Sequence, residues 1–138
     1  SANKNGDTPL GGAAWQGHKE VVELLLQKGA NLESANKNGD TLLVRAAWQG
    51  HKEVVELLLQ KGANLESANK NGDTPLVRAA WQGHKEVVEL LLQKGANLES
   101  ANKYGVTPLG GAAWQGHKEV VELLLQKGAN LESADNDG

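Results

Sequence analysis

The chain consists of successive copies of one 33-residue sequence. The four complete copies occupy residues 1–33, 34–66, 67–99 and 100–132. Residues 133–138 begin a fifth copy that stops at its first turn. A period of this length indicates a quasi-one-dimensional stack, in which each repeat contacts only its neighbours. We therefore expect residues 1–138 to form a single solenoid domain.

The copies differ at only five positions, which makes those positions informative about function. The differing sets are Asn5/Asn38/Asn71/Tyr104, Asp7/Asp40/Asp73/Val106, Pro9/Leu42/Pro75/Pro108, Gly11/Val44/Val77/Gly110 and Gly12/Arg45/Arg78/Gly111. Natural repeats drift at exposed positions, because most surface substitutions there change stability by less than about 0.5 kcal/mol. Identity at such positions, with no Cys, Met or Phe in the chain, indicates a designed array.

The composition restricts the classes of partner and cofactor. The 14 basic and 17 acidic residues give a formal net charge of −3, which provides no electrostatic footprint for a nucleic acid. No apolar run approaches the roughly 20 residues that span a bilayer, and the polar start lacks a signal-peptide core. We expect a soluble, intracellular-type recombinant protein with no nucleic-acid or membrane partner.

Each copy contains signals for two helices. Thr8 and Pro9 are typical of a helix start, and Gly17 of a helix end, so a short first helix is predicted between them. Residues 18–28 are predicted to form a longer amphipathic helix that ends at Gly29. The Asn- and Gly-rich remainder is typical of a loop and turn. The fold class is therefore all-α.

The first copy contains the motif Gly-Asp-Thr-Pro-Leu-x-x-Ala-Ala-x-x-Gly-His-x-Glu-Val-Val-x-Leu-Leu-Leu-x-x-Gly-Ala, which the other copies repeat with few changes. This motif and its period resemble the ankyrin repeat over essentially the whole chain. Their regularity is similar to that of consensus-designed ankyrin repeat proteins. The resemblance implies a solenoid of four turn-helix-loop-helix repeats, whose short inner helices and turns line a concave, protein-binding face.

The chain departs from the family pattern at two places. The histidine that usually follows Thr-Pro-Leu is replaced by Gly11, Val44, Val77 and Gly110, so any hydrogen bond that this histidine makes is lost. Leu42 also replaces the usual proline in the second copy, which is a milder loss of preorganisation at a helix start.

Four of the five variable positions are predicted to lie on one surface. Leu10, Ala13 and Ala14 share one face of the short helix and should pack inward, which leaves positions 11, 12, 15 and 16 for the other side. We interpret that side and the variable turn as a partner-binding surface. Its predicted residues are Trp15, Trp48, Trp81, Trp114, Gly11, Gly12, Val44, Arg45, Val77, Arg78, Gly110, Gly111, Tyr104 and Val106.

The tryptophans are expected to form an exposed ladder, about 10 Å apart if neighbouring helices pack at ordinary distance. Exposed Trp favours binding hot spots, although an invariant Trp also suits a scaffold that only covers the short helix. Each interior glycine of the Gly-Gly pairs costs a helix roughly 1 kcal/mol relative to alanine. The pairs favour an open cleft at each end of the groove, beside Trp15 at Gly11-Gly12 and again at Gly110-Gly111. The alternative is that the pairs mark terminal repeats, were tolerated in a library, or result from the way the array was assembled.

The middle copies carry Val-Arg where the outer copies carry Gly-Gly. Val44 and Val77 are expected to add apolar surface. Arg45 and Arg78 each stand three residues before the tryptophan of their own copy, within cation–π range. This pattern favours a partner with an apolar and acidic segment, although surface arginines are often merely solvated.

Tyr104 and Val106 occur only in the fourth copy. By the resemblance, they stand at positions that designed ankyrin libraries diversify. Tyrosine is a rigid, amphipathic anchor, and Val106 removes a charge beside it. These features favour partner binding, with a tolerated or packing-related change as the alternative.

The repeated histidines predict no metal site. His18, His51, His84 and His117 occur once per copy, so they cannot converge on one ion. They match the family's Gly-His between the helices, which implies a structural role. Glu20 suits a helix start, and no nucleophile–base set or phosphate-binding glycine loop occurs. We expect a non-enzymatic protein with no metal and no cofactor.

The first and fourth copies keep the apolar outer helix of the middle copies, whereas solenoids normally close with polar capping repeats. Leu10 and Val22 at one end, and Leu124 and Leu125 at the other, are therefore expected to face no neighbour. The more polar residues 133–138 would cover only part of the last repeat, as a truncated or capping repeat. These features predict fraying or end-to-end self-association.

Together these features favour an engineered binding module that holds a protein or peptide in its concave groove. The alternative is a consensus or redesigned array, made to study folding, stability or assembly, with no intended ligand. Variation confined to one face favours the binding module. The Gly-Gly, Val-Arg, Val-Arg, Gly-Gly order favours the alternative.

Overall fold

The computed structural model describes residues 7–132, which form four stacked helix pairs. The eight helices in this range are α1 Pro9–Gln16, α2 Lys19–Gln27, α3 Leu42–Gln49, α4 Lys52–Gln60, α5 Pro75–Trp81, α6 Lys85–Gln93, α7 Pro108–Trp114 and α8 Lys118–Gln126. The odd-numbered helices are the short inner helices, and the even-numbered helices are the outer ones. This range contains no strand, and the predicted all-α solenoid is confirmed.

Local sequence signals set the bounds of both helices in a repeat. The Thr8 hydroxyl oxygen accepts a hydrogen bond from the Gly11 N–H at 3.1 Å, and Pro9 occupies the first turn of α1. Gly17 ends α1 with a φ of +79°, a conformation that favours glycine. The outer helix α2 is one residue shorter at each end than the predicted range 18–28, because His18 and Lys28 stand at the N-cap and C-cap positions.

The missing proline of the second repeat does not move the helix start. The Thr41 hydroxyl oxygen accepts a hydrogen bond from the Val44 N–H at 3.2 Å and so caps α3. The Leu42 side chain is buried, as are Pro75 and Pro108 at the same position. Leucine therefore replaces the packing of the proline while the cap keeps the helix in place.

The hydrophobic core runs along the stack between the inner and outer helices. Leu10, Ala13 and Ala14 are buried as predicted, and the same positions are buried in the second and third repeats. Inner helices of consecutive repeats pack against each other, and so do the outer helices. The short alanine side chains permit this close approach of the backbones.

A histidine holds each of the last three repeats to the repeat before it. His51 Nε2 lies 2.8 Å from the Trp15 carbonyl oxygen, and the imidazole donates because a carbonyl only accepts. His84 and His117 make the same bond to the preceding repeat. The His51 ring packs on Gly17, where a Cβ would lie 2.6 Å from Nδ1. The structural role expected for the histidines is confirmed for these three.

The ends of the stack differ in detail from the prediction. Leu10, Val22 and Leu124 are buried, contrary to the expectation that they face no neighbour, because their own repeat and its single neighbour cover them. Leu125 is exposed as predicted, and other apolar residues of α2 are exposed at the first end. The prediction for residues 133–138 lies outside the described residues.

Candidate functional site

The predicted binding residues lie on the inner helices and on the turns before them. Trp15, Trp48, Trp81 and Trp114 each stand near the end of an inner helix, and we call them the tryptophan row. Because the inner helices stack on one another, the row crosses all four repeats along one side of the molecule.

The tryptophan row is strongly exposed at only one end. Trp114 is 76% exposed, whereas the other three members are half-buried. The Trp15 and Trp48 rings meet edge to face, with their centroids 5.6 Å apart, which is a favourable aromatic arrangement. The predicted spacing of about 10 Å is wrong for this pair, because the two long side chains lean toward each other. The aromatic surface that a partner can reach is therefore concentrated in the fourth repeat.

Arg45 links the second repeat to the first. Its Nη1 lies 2.8 Å from Asp7 Oδ1, and its guanidinium carbon lies 5.5 Å from the centre of the Trp15 ring. The arginine thus stacks on the tryptophan of the preceding repeat, and the predicted contact with Trp48 of its own helix is wrong. Side chains on a helix lean toward its N-terminus, which directs Arg45 away from a residue three positions later.

The space above Gly11 is filled by this arginine. A Cβ on Gly11 would lie 2.5 Å from Arg45 Nη1, so the cleft predicted at Gly11 is occupied from within the molecule. Gly12 differs, because a Cβ there would meet no atom within 4 Å. Of the first glycine pair, only Gly12 leaves open space over the helix backbone.

Arg78 makes a similar contact one repeat later. Its guanidinium carbon lies 3.5 Å from the centre of the Trp48 ring, and its Nη1 lies 3.7 Å from Asp73 Oδ2. The Gln82 amide oxygen, oriented toward them, accepts hydrogen bonds from Trp48 Nε1 at 3.2 Å and from Arg78 Nη2 at 3.3 Å. Burial lowers the pKa of Arg78, and the charges of Asp73 and Asp40 oppose this shift. Its charge is therefore balanced within the chain.

Val44 and Val77 are buried and add no apolar surface, contrary to the prediction. Position 11 of the repeat faces the next repeat, as the approach of Arg45 to Gly11 shows. A valine at this position fills the space between consecutive inner helices. In the second repeat a valine side chain stands at this position, and the ion pair of Arg78 is made with Asp73 of its own repeat.

In the glycine pair of the fourth repeat, Gly111 leaves space for the tryptophan of the preceding repeat. A Cβ on Gly111 would lie 3.0 Å from Trp81 Cε3 and 3.5 Å from Val106 Cγ1. Trp81 therefore fills the cleft predicted at Gly111 and packs on the helix backbone. A Cβ on Gly110 would meet only Thr107 Oγ1, at 3.3 Å, so this position is more open.

The fourth repeat changes the side chains of its turn without changing the backbone. Asn102 Oδ1 accepts hydrogen bonds from the Tyr104 N–H at 2.9 Å and from the Val106 N–H at 3.0 Å. Asn36 and Asn69 make the equivalent bonds in the turns before it. Tyr104 is 53% exposed and Val106 is half-buried. Tyr104 is therefore accessible to a partner, whereas Val106 also packs within the molecule.

Asp7 and Gln82 are partners of the arginines that the sequence did not predict. Asp7 and Arg45 have opposite charges and stand at variable positions of consecutive copies. These opposite charges could have predicted the ion pair. Gln82 is identical in every copy, so nothing in the sequence distinguished it from a solvated residue.

The described part of the chain gathers no set of metal-ligating side chains. Among residues 7–132, no three His, Cys, Asp or Glu side chains are close enough together to hold a metal ion. A cavity of about 270 Å³ is lined by Pro9, Leu10, Leu25 and Ala30 with uncharged polar residues, which suits apolar contact. No helix within this range is sufficiently long and apolar to cross a membrane.

Comparison with known proteins identifies the family. A family model described as ankyrin repeats (three copies) matches residues 1–69 and again residues 62–135. No curated protein matches the chain. The two family matches together span nearly all of the sequence and agree with its stacked helix pairs. The chain therefore belongs to the ankyrin-repeat family.

Proposed function

We propose that this chain is a non-enzymatic module that binds a protein or peptide along its inner helices and turns. Ankyrin repeats are generally protein-interaction modules and are typically non-enzymatic. The observation that carries the proposal is the exposure of two aromatic side chains in the fourth repeat, Tyr104 and Trp114. Tyr and Trp are enriched in binding hot spots, because they bury a large and rigid surface.

The partner segment that suits this surface is mainly apolar. Arg45 is only 8% exposed and is paired with Asp7, which leaves it little capacity for an acidic group on a partner. Arg78 is half-buried and lies over Trp48. We therefore assign the apolar part of the partner to the fourth repeat and restrict any acidic contact to the edge of Arg78.

We further propose that the array was engineered and that its variable turn serves binding. Support comes from copies that remain identical at positions exposed in every repeat, such as those of Lys19 and Lys28, where substitutions are usually tolerated. A rival proposal is an array made to study folding or assembly, without an intended ligand. It draws support from variable residues such as Arg45, whose contacts lie between repeats.

A second partner class is another copy of this chain, bound through the terminal repeats. The specific observation is the exposure of apolar side chains at both ends of the stack, including Leu24 at the first end and Leu131 at the last. Exposed apolar patches of this kind favour association.

The binding proposal can be tested with a displayed pool of diverse proteins and peptides. Retention by the parent is compared with retention by a variant that carries Tyr104→Asn and Val106→Asp, which restores the common sequence of the turn. Glu122→Gln, an exposed change on the outer helix α8 of the same repeat, is the matched control.

We expect the parent and the control to retain the same partner equally. The double variant should bind that partner at least tenfold more weakly. Equal retention by all three proteins would show that the fourth repeat does not carry binding. Specific retention by none of them would favour the array without a ligand.

A further inference from the structure

The two ends of the stack present the two halves of an interface that forms three times inside the molecule. Val21 is 45% and Leu24 is 52% exposed, whereas Val54 and Leu57 at the same positions are 1% and 3% exposed. The repeat before them therefore covers these positions. At the other end, Trp114 is 76% exposed, and no following repeat is described over it.

The last end is uncovered at positions that face a following repeat. Leu131 is 72% exposed, whereas Leu65 and Leu98 at the same position are partly buried against the core. Leu125 is exposed, and its equivalent Leu92 is partly buried against the core. Each end thus exposes apolar residues whose equivalents are covered by a neighbouring repeat at the internal junctions.

The hydrogen-bonding groups at the two ends also match. Inside the stack, the ring of each following histidine packs on a glycine, as His51 does on Gly17, and donates to a tryptophan carbonyl oxygen. At the last end, Gly116 has the same backbone conformation, with φ at +77°, and a Cβ there would meet no atom within 4 Å. At the first end, His18 is exposed. The last end therefore has an open glycine surface on which a histidine ring can pack, and the first end has an exposed histidine.

A second pair of groups repeats this match at the loops. The Asn64 N–H donates a hydrogen bond to Glu33 Oε2 at 2.9 Å, and the next two junctions have the same bond. The corresponding groups at the ends are the Glu132 carboxylate and the Asn31 N–H. Both residues are exposed.

The variable residues remove a charge conflict from such a junction. Where a following repeat brings an arginine, as Arg45 does, an aspartate of the preceding repeat is available to it. The first repeat would bring Gly12 instead, and the fourth repeat offers Val106 in place of the aspartate. The junction between the last and first repeats would therefore bury neither a guanidinium nor a carboxylate without its counter-charge.

We propose that a second copy of this chain occupies each end, with its first repeat stacked on the fourth repeat of its neighbour in the register of the internal junctions. His18 of the incoming copy packs on Gly116 and donates to the Trp114 carbonyl oxygen. This register rests on the end-to-end association proposed above. The contact joins two different surfaces, so it is heterologous and extends into linear oligomers.

The test uses two variants of the full chain, each with one blocked end. Leu24→Glu blocks the first end, and Leu125→Glu with Leu131→Glu blocks the last end. All three side chains are exposed, so the fold should tolerate the charges, and circular dichroism verifies this. Gln60→Glu, exposed on the outer helix α4, adds the same charge away from both ends. Mass is measured by light scattering over a wide range of concentration.

We expect the mass of the parent and of Gln60→Glu to rise with concentration, while each blocked variant stays a monomer. An equimolar mixture of the two blocked variants should give a dimer, because one open first end and one open last end remain. His18→Ala should weaken parent association by at least tenfold without shifting the unfolding midpoint.

Each contrary result has a separate meaning. A parent that is monomeric at every concentration would refute both the association and its register, and would indicate that the chain covers its own ends. A blocked variant that still dimerises alone would show an isologous contact and overturn the register only. A mixture that stays monomeric while the parent associates would also overturn the register.

Discussion

Replacing Gly11 and Gly12 separately by alanine tests whether the glycine pair serves the repeat junction. Both glycines lie inside α1 without a positive φ, so alanine should favour the helix by about 1 kcal/mol at each position. A Cβ at Gly12 meets no atom within 4 Å. We therefore expect Gly12→Ala to stabilise the fold by that amount, which would raise the melting temperature by roughly 3–5 °C.

At Gly11 the same helix gain is opposed by a collision. The new Cβ would lie 2.5 Å from Arg45 Nη1, so the nitrogen that makes the 2.8 Å contact with Asp7 has to shift. A shift that separates this buried charge from its counter-charge costs on the order of 1.5–3 kcal/mol. Subtracting the helix gain leaves an expected net loss of roughly 0.5–2 kcal/mol for Gly11→Ala.

Urea unfolding followed by far-UV circular dichroism measures both changes, alone and together with Arg45→Ala. Gly11→Ala should couple to Arg45→Ala by about 1–2 kcal/mol, whereas Gly12→Ala should be additive with it, because only contacting residues couple strongly. Equal effects of the two alanines, or no coupling between Gly11 and Arg45, would refute the inference that Gly11 leaves the space that the arginine occupies.

Two further substitutions test the contacts between repeats. Asp7→Asn removes the carboxylate charge that Arg45 contacts while that arginine stays buried, so we expect a loss of about 1–3 kcal/mol in the free energy of unfolding; a loss that vanishes in an Arg45→Ala background confirms the pair. His51→Ala removes a hydrogen bond of 2.8 Å between the first two repeats and should lower the free energy of unfolding by roughly 1–2 kcal/mol. The exposed His18→Ala should leave it unchanged at low protein concentration; equal losses from both would contradict the junction role.

The fold could be predicted from the sequence because its signals are local. Thr8, Pro9 and Gly17 act on the backbone within a few residues of themselves, so the start and end of α1 followed from their order along the chain. The 33-residue period then required every helix pair to stack in the same way. Even Leu42, which breaks the pattern, is compensated locally by the Thr41 cap.

The binding surface was harder to predict because its side chains are placed by the next repeat. The helical spacing predicted that Val44 and Arg45 lie on the exposed side of the helix, but a stacked neighbour buries both. The direction of Arg45 depends on Trp15 and Asp7 of another repeat, which spacing within one helix cannot reveal. Of the four tryptophans expected to be exposed, only Trp114 is strongly so, and no following repeat is described over it.

The contacts between repeats divide the variable positions into two groups with different roles. Arg45 and Asp7 form one unit across the first junction, where Gly11 admits the arginine. Gly111 and Val106 form another across the third, where Trp81 packs on the glycine. These changes alter how one repeat accepts the next, so they need no external partner to explain them. Tyr104 is different, because its turn keeps the common backbone hydrogen bonds while its ring is exposed.

The informative test of partner binding is therefore Tyr104→Asn alone. A junction substitution changes stability and binding together, because a partner that spans several repeats depends on their stacking. Tyr104→Asn should leave the unfolding free energy within about 0.5 kcal/mol of the parent, as surface changes usually do, so a loss of binding with unchanged stability would assign a contact role to the ring. Unchanged binding would transfer that role to Trp114, the other strongly exposed aromatic side chain of the fourth repeat.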